Sequence, residues 1–212
     1  MIIQVLVDNE YSWIVPFAKK LVDECIKNGH KAVLLNKHNE VMQGDILCLL
    51  SCEKLFRRLE LNKHNLVVHE SALPKGKGWS PLTWQVLEGA TEIPVTLFEA
   101  TKEVDAGLIY NQRIIKLSGH ELVNELRCLQ GNATVELIID FVLNFPNNVG
   151  KEQEGTSTYY PKRVAEDSRI DITKSIESQL NLLRIVDNDK YPAFFEYNGF
   201  KYKIAISKIE DQ

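Results

Sequence analysis

Two periods of apolar residues run along the chain. Ile2 to Val7 (Ile-Ile-Gln-Val-Leu-Val) is an almost unbroken apolar run, the pattern of a strand buried on both faces. Val15, Ala18, Leu21, Val22, Cys25 and Ile26 then fall three and four apart, which predicts an amphipathic helix. Pro16 suits its first turn and Gly29 its stop. Lys31 to Leu35, Ile46 to Leu50 (introduced by Gly44-Asp45) and Asn65 to His69 are the next three strand candidates. Strand, helix and strand in this rhythm predict a mostly parallel sheet in an α/β layer structure.

After His69 the texture changes. Glu70 to Ser80 is a loop rich in Gly, Lys and Pro, and Pro81 to Leu87 forms a short helix stopped by Gly89. Ile93 to Phe98 and Leu108 to Ile115 are strands. Leu122, Val123, Leu126 and Leu129 return to helical spacing, Gly131-Asn132 interrupts it, and Val135, Ile138, Ile139 and Val142 resume it. The polar stretch from Asn144 to Thr158 reads as a linker, which divides the chain into a main domain (1–145), a linker (146–158) and a small α+β tail (159–212). The tail offers a helix from Ile172 to Ile185 and two strands, Ala193 to Tyr197 and Phe200 to Ile206, with Asn198-Gly199 as a hairpin turn between them. A tail of about 54 residues buries little surface alone, so it is expected to pack on the main domain or on a partner, a homodimer being one such arrangement.

The charge is 25 Lys and Arg against 29 Asp and Glu, a net of −4, without a clustered basic face. That argues against a nucleic-acid partner, because neutralising phosphates needs gathered cations. At 44% hydrophobic and 25% charged the composition is that of a globular protein. No apolar run approaches the roughly 20 residues that cross a bilayer, and Met1 to Val7 does not read as a signal peptide. Cys25, Cys48, Cys52 and Cys128 have no zinc-site spacing and read as buried, reduced thiols of a cytoplasmic protein without a metal.

Two segments carry candidate chemistry. His69-Glu-Ser-Ala-Leu-Pro-Lys-Gly-Lys-Gly-Trp-Ser-Pro81 puts a histidine at the carboxyl end of a buried strand, where open α/β sheets place ligands. Gly76 and Gly78 allow close backbone approach, their N–H groups could meet an anion, and Lys75 and Lys77 add positive charge. Asp105-Ala106-Gly107 closes a loop about 35 residues later; by itself an Asp-x-Gly triplet is a common turn.

Together these segments resemble the folate-dependent formyltransferases, most of all the N-formyltransferases of nucleotide-linked amino sugars. His69, Ser71, Leu73, Pro74, Lys77, Gly78 and Pro81 fill the family's histidine-and-loop pattern, Asp105 and Gly107 its Asp-x-Gly, and Gln85, Gly89 and Val95-Thr96-Leu97 the elements between. Arg163, Ile170-Asp171, Arg184 and Tyr191-Pro192-Ala193 are similar to the appended domain of larger members. The resemblance implies a Rossmann-like fold, here shortened at the amino terminus by a strand–helix unit or more. It also implies transfer of a formyl group from 10-formyltetrahydrofolate to an amine. A nucleotide-linked amino sugar, as used in O-antigen biosynthesis, is the expected acceptor; methionyl-tRNA, phosphoribosylglycinamide and a non-catalytic folate-binding relative are the alternatives.

In that resemblance His69 is the general base, Asp105 orients it, and Leu73, Pro74, Gly78, Val95 and Gly107 contact the folate. For a nucleotide-sugar acceptor, Lys75 and Lys77 are expected near the pyrophosphate, and Trp79, or Tyr159 and Tyr160, on a base or sugar ring. The family's asparagine, two residues before the histidine, is Val67 here. Asn65 replaces it if a bulge shortens the roughly 13 Å that four strand residues span; otherwise a glycine-loop N–H supplies the hydrogen bond.

Overall fold

The computed structural model describes residues 1–209. β1 (Ile2–Leu6) leads through α1 (Val15–Lys27) to β2 (Lys31–Leu35), which pairs parallel on one side of β1. β3 (Gly44–Leu49) pairs parallel on the other side, and β4 (Asn62–His69) continues parallel on β3. The chain then makes β5 (Lys77–Gly78) and α2 (Pro81–Leu87) before β6 (Glu92–Glu99) and β7 (Ile109–Lys116) return antiparallel, giving the order β2-β1-β3-β4-β6-β7. α3 (Val123–Asn144), the short β8 (Tyr159–Tyr160), α4 (Leu180–Ile185) and the hairpin β9 (Ala193–Tyr197) and β10 (Phe200–Ile204) complete the described chain. The fold is α/β with a mixed, mostly parallel sheet.

Alternation along each strand sends two sets of side chains to different covers. Ile3, Val5, Ile46, Cys48, Leu66, Val95 and Leu97 join the main core with Ala18 and Leu21 of α1 and Leu126, Leu137 and Ile138 of α3. The opposite set, Leu6, Leu47 and Leu49, packs in a smaller cluster with Val41 and Phe56, and with the partly buried Cys52, Leu59 and Leu61, from the β2–β3 and β3–β4 connections. Each of those connections holds one turn of 3₁₀ helix, at His38–Glu40 and Leu59–Leu61. A parallel pair needs a crossover of about a dozen residues, and residues 50–61 supply that minimum without an α-helix. Gln4 pins this thin layer: its side chain accepts the Met42 N–H at 2.9 Å and donates to the Met42 carbonyl at 2.8 Å and to Asn62 Oδ1 at 3.0 Å.

Three local expectations change. Gly131 does not interrupt α3, which runs unbroken for 22 residues. A Cβ there would stand 2.4 Å from the Phe17 ring, so glycine is what lets α1 and α3 approach. The tail helix is shorter than its apolar spacing predicts. Asp171 Oδ1 accepts the Thr173 N–H at 2.9 Å and Ser175 Oγ that of Ser178 at 3.2 Å; these local bonds compete with helix, and α-helix begins only at Leu180. Cys25 and Cys48 are buried free thiols, but Cys128 is exposed on α3.

The tail is tied to α3 by charge. Arg184, 5% exposed, reaches Glu121 Oε2 and its carbonyl, both at 3.0 Å, and Arg127 pairs with Asp187 at 2.8 Å. Burial acts to raise both carboxyls. It is outweighed at Glu121 by N–H groups of Ser118, Glu121 and Gly119, and at Asp187 by Arg127 and the N–H groups of Lys190 and Asp189, so both lie below their ordinary range. A depressed carboxyl pKa contributes stability that is full above the unfolded value and lost as pH falls through the folded one. Below about pH 4 the tail is therefore expected to loosen first, with hydrogen exchange rising over residues 180–186 while β1 and β3 stay protected. Uniform exchange would contradict this. Arg184→Ala removes the guanidinium from Glu121, whose carboxylate keeps the Ser118 and Gly119 N–H groups, and is expected to cost about 1–3 kcal/mol in a denaturant melt.

Candidate active site

β3 and β4 end side by side, at Leu49 and His69. Around them Trp13 and Ile14 just before α1, the first residues of α2, one face of α3, the β3–β4 connection and the loop after β6 line a cavity of about 650 Å³. It lies at the carboxyl ends of the parallel strands, the usual ligand position in open α/β sheets, and within the roughly 300–1,000 Å³ of small-molecule sites. The strand end divides it into two sides. Val67 and His69 face the loop-covered side with Phe56, Phe98 and Ala100; Val68 and Glu70 face α3, with Trp13, Leu82 and Gln130.

His69 is 7% exposed. Its Nε2 is 2.9 Å from the Gly76 carbonyl oxygen and 3.9 Å from Asp105 Oδ2. A carbonyl only accepts, so Nε2 is assigned the hydrogen and Nδ1 the lone pair of the neutral ring. Asp105 sits at φ +53°, a left-handed conformation that Asp tolerates, and its Oδ2 accepts the Gly78 N–H at 3.0 Å. Gln153 reaches across from the polar stretch before β8, its Nε2 donating to the Asp105 carbonyl at 3.0 Å and to the Gly107 carbonyl at 2.9 Å. At Gly107 a Cβ would lie 1.7 Å from the Glu99 carbonyl oxygen. Only glycine lets this loop close against the end of β6.

Asn65 does not join this arrangement. β4 pairs in unbroken register from Leu66 to His69, so no bulge brings position 65 forward, and the register shift nearby lies on β6 at Leu97/Phe98. The Asn65 amide donates to the Leu59 carbonyl at 2.9 Å, under the sheet and away from the cavity. The glycine loop is not an anion cradle either. Gly76 N–H donates to Thr158 Oγ1 and Gly78 N–H to Asp105, and, because β8 pairs with β5, Lys77 N–H donates to the Thr158 carbonyl and Trp79 N–H to the Tyr160 carbonyl.

The other expected ligand residues divide. Gly78 and Trp79 line the cavity, Trp79 at 47% exposure with Lys162 Nζ 4.6 Å above its ring. Lys75 is exposed and Lys77 is 5% exposed, and neither lines the cavity. Leu73 and Pro74 are buried beneath the loop, and Val95, fully buried, belongs to the main core. Packing claims their side chains. Gly107 acts through its backbone, two residues beyond Asp105, the last residue of that loop to line the cavity.

Residues not singled out from the sequence complete the walls: Trp13, Phe56, Glu70 and Gln130 in the cavity, and Gln153 behind Asp105. Glu70 had a readable signal, a carboxylate next to the histidine in an apolar context; Gln153, in a polar stretch, had none. Among the described residues no cluster of three His, Cys, Asp or Glu side chains is arranged to hold a metal, and no helix is long and apolar enough to cross a membrane.

No protein-family model matches the chain. Its sequence is 31% identical over 150 residues to the methionyl-tRNA formyltransferase of Thermotoga neapolitana, 68% of this chain and 48% of that protein. The solved methionyl-tRNA formyltransferase from Clostridium thermocellum shares its fold with a TM-score of 0.82 at 19% identity, over 99% of this chain and 93% of that one. The chain belongs to the formyltransferase family. A 4-N formyltransferase from Francisella tularensis has the family fold at a TM-score of 0.73 and 18% identity, over 98% of each chain. HypX from Aquifex aeolicus, solved in complex with tetrahydrofolic acid, matches at a TM-score of 0.73 and 15% identity, over 96% of this chain and 37% of that one. The chain spans about half the length of the curated formyltransferases it matches, 48% and 52%.

Proposed function

We propose that this chain moves a formyl group from 10-formyltetrahydrofolate to the amine of a nucleotide-linked amino sugar. The observation that carries the reading is the convergence of His69 and Asp105, 3.9 Å apart, at the wall of a cavity of about 650 Å³. Family membership and the tetrahydrofolate bound in one structural neighbour support folate as the donor.

In this reading the folate occupies the loop-covered side, where Phe56, Phe98 and Ala100 offer apolar contact, and supplies the activated formyl group. The neutral amine bonds to the formyl carbon as the carbon–N10 bond breaks. The amine proton passes to Nδ1 of His69 and returns to N10. Histidine suits this traffic because its ordinary pKa, near 6.5, lets it hold or release a proton at neutral pH. Asp105 has two parts: its carboxylate fixes the glycine loop through Gly78, and it favours the imidazolium that forms at His69. With Asn65 remote and the loop N–H groups engaged, that imidazolium is the hydrogen-bond donor on hand for the negative charge growing on the formyl oxygen.

The net charge of −4 and the lack of a basic face weigh against tRNA. The cations near the mouth are Lys54 and Lys162, the latter over Trp79, and they replace Lys75 and Lys77 as partners for a diphosphate, with Trp79 beside the base or sugar. Val67, an apolar side chain where the family has an amide, favours a second reading, a folate binder that transfers nothing. Purified protein with 10-formyltetrahydrofolate and a panel of dTDP-, UDP- and GDP-linked amino sugars is expected to yield one product heavier by CO. Folate binding with no product on any of them supports the second reading and rejects the first.

A further inference from the structure

Glu70 is buried, lines the cavity, and has no Lys or Arg paired with it among the described residues. Its position is defined: Gln85 Nε2 on α2 donates to its main-chain carbonyl at 2.5 Å. It follows His69 directly, so the two Cα atoms are about 3.8 Å apart, and it sits at the centre of a tight turn in which the Ser71 N–H donates to the His69 carbonyl at 2.9 Å. Gln130 of α3 is its hydrogen-bond neighbour, and Trp13, Leu82, Leu126 and Ile185 make the surroundings apolar. The charged and titratable groups lining the same cavity are His69 on β4, Cys52, Glu53 and Lys54 on the β3–β4 connection, Glu103 and Asp105 after β6, and Arg127 on α3, the last already committed to Asp187 at 2.8 Å. Trp13 and Ile14, just before α1, and the start of α2 present only uncharged side chains here. Burial pushes the Glu70 carboxyl above its ordinary range; His69 and Gln130 draw it down, and Asp105 adds to the rise.

A carboxylate taken out of water without a cation is costly, and here the open approach for a cation is the cavity itself. We infer that Glu70 is the counter-ion for the acceptor's ammonium group and selects cationic amines as acceptors, an inference that rests on the formyl-transfer reading for the identity of the ligand. An ammonium held there lies at the strand tip, one residue along the chain from His69, and reacts as the neutral amine once it has given a proton to solvent. It also separates the two substrates: the acceptor amine belongs beside the buried Glu70, and the folate on the loop-covered side with Phe56, Phe98 and Ala100.

The test uses the native chain labelled with ¹³C in its glutamate carboxyls, with the Glu70 signal assigned against Glu70→Gln, or against Glu70→Asp if the first variant does not fold. In ethylammonium chloride the Glu70 titration midpoint is expected about one pH unit, a tenfold change in ionisation constant, below that in sodium chloride of equal ionic strength. Identical midpoints overturn the inference. In transfer assays Glu70→Gln is expected to raise the amine KM roughly tenfold while tetrahydrofolate binding is unchanged. Weakened tetrahydrofolate binding with an unchanged amine KM overturns it, because the carboxyl would then serve the donor. An ammonium-dependent midpoint in a protein that formylates no amine would reject formyl transfer and leave the counter-ion standing.

Discussion

Alanine at position 69 is expected to lower kcat/KM for formyl transfer by roughly 10²–10⁴-fold, the usual worth of a positioned acid–base group. The fold should survive, because the substitution removes one hydrogen bond, from Nε2 to the Gly76 carbonyl, worth about 1 kcal/mol. The glycine loop keeps its other anchors, the β5–β8 pairing and the Gly78–Asp105 bond. Folate affinity is expected to stay within a few-fold, since the folate's apolar contacts come from the loop-covered side. His69 and Asp105 work as a unit, so a double variant should lose little more than the His69 single. Turnover within a few-fold of the native chain in His69→Ala, with an unchanged melting temperature, would remove the histidine from the chemistry.

The largest stability loss is expected from Gly107→Ala. The added Cβ would lie 1.7 Å from the Glu99 carbonyl oxygen and 2.7 Å from its carbon, both backbone atoms that no rotamer change can move. Glu99 is fixed in turn: its N–H donates to the Leu108 carbonyl at 2.9 Å, and its carboxylate receives Tyr110 at 2.8 Å and the Asn65 N–H at 2.5 Å. A loss of about 4 kcal/mol or more is expected, a drop of roughly 10 °C in Tm for a chain of this size. Activity should fall even well below the melting temperature, because the displaced loop carries Asp105 away from His69. Gly119→Ala is the control: it also adds a methyl, at φ +91° but with nothing within 4 Å, so it meets backbone strain alone, about 1 kcal/mol. Equal effects from the two substitutions would show that the close approach at Gly107 does not matter.

What was legible beforehand follows from what a local pattern can encode. The apolar runs that became β1 to β4, the spacing that became α1 and the Asn198-Gly199 hairpin each report a residue's own backbone geometry and burial, so they can be read one segment at a time. The same holds for His69 at a strand's end and Glu70 beside it. The partnerships are another matter. Gly131 looks like a helix break until Phe17 of another helix is found against it, and the free-looking N–H groups of the glycine loop are consumed by Thr158 and Tyr160, some 80 positions away in the sequence, and by Asp105. Asn65, spaced to face the same way as His69, has its amide taken by Leu59 from the connection that lacks an α-helix.

Thus the chain's periodicity, by itself, determined the α/β layering and which strand would present an imidazole at its carboxyl end. Tertiary structure alone decided that the carboxylate of Asp105 reaches that imidazole, that Gln153 braces it, and that the lysines of the loop turn away from the cavity. The reason is physical: periodicity records whether a residue is buried, whereas the identity of what it is buried against depends on loops closing over tens of residues, and no short-range pattern carries that information.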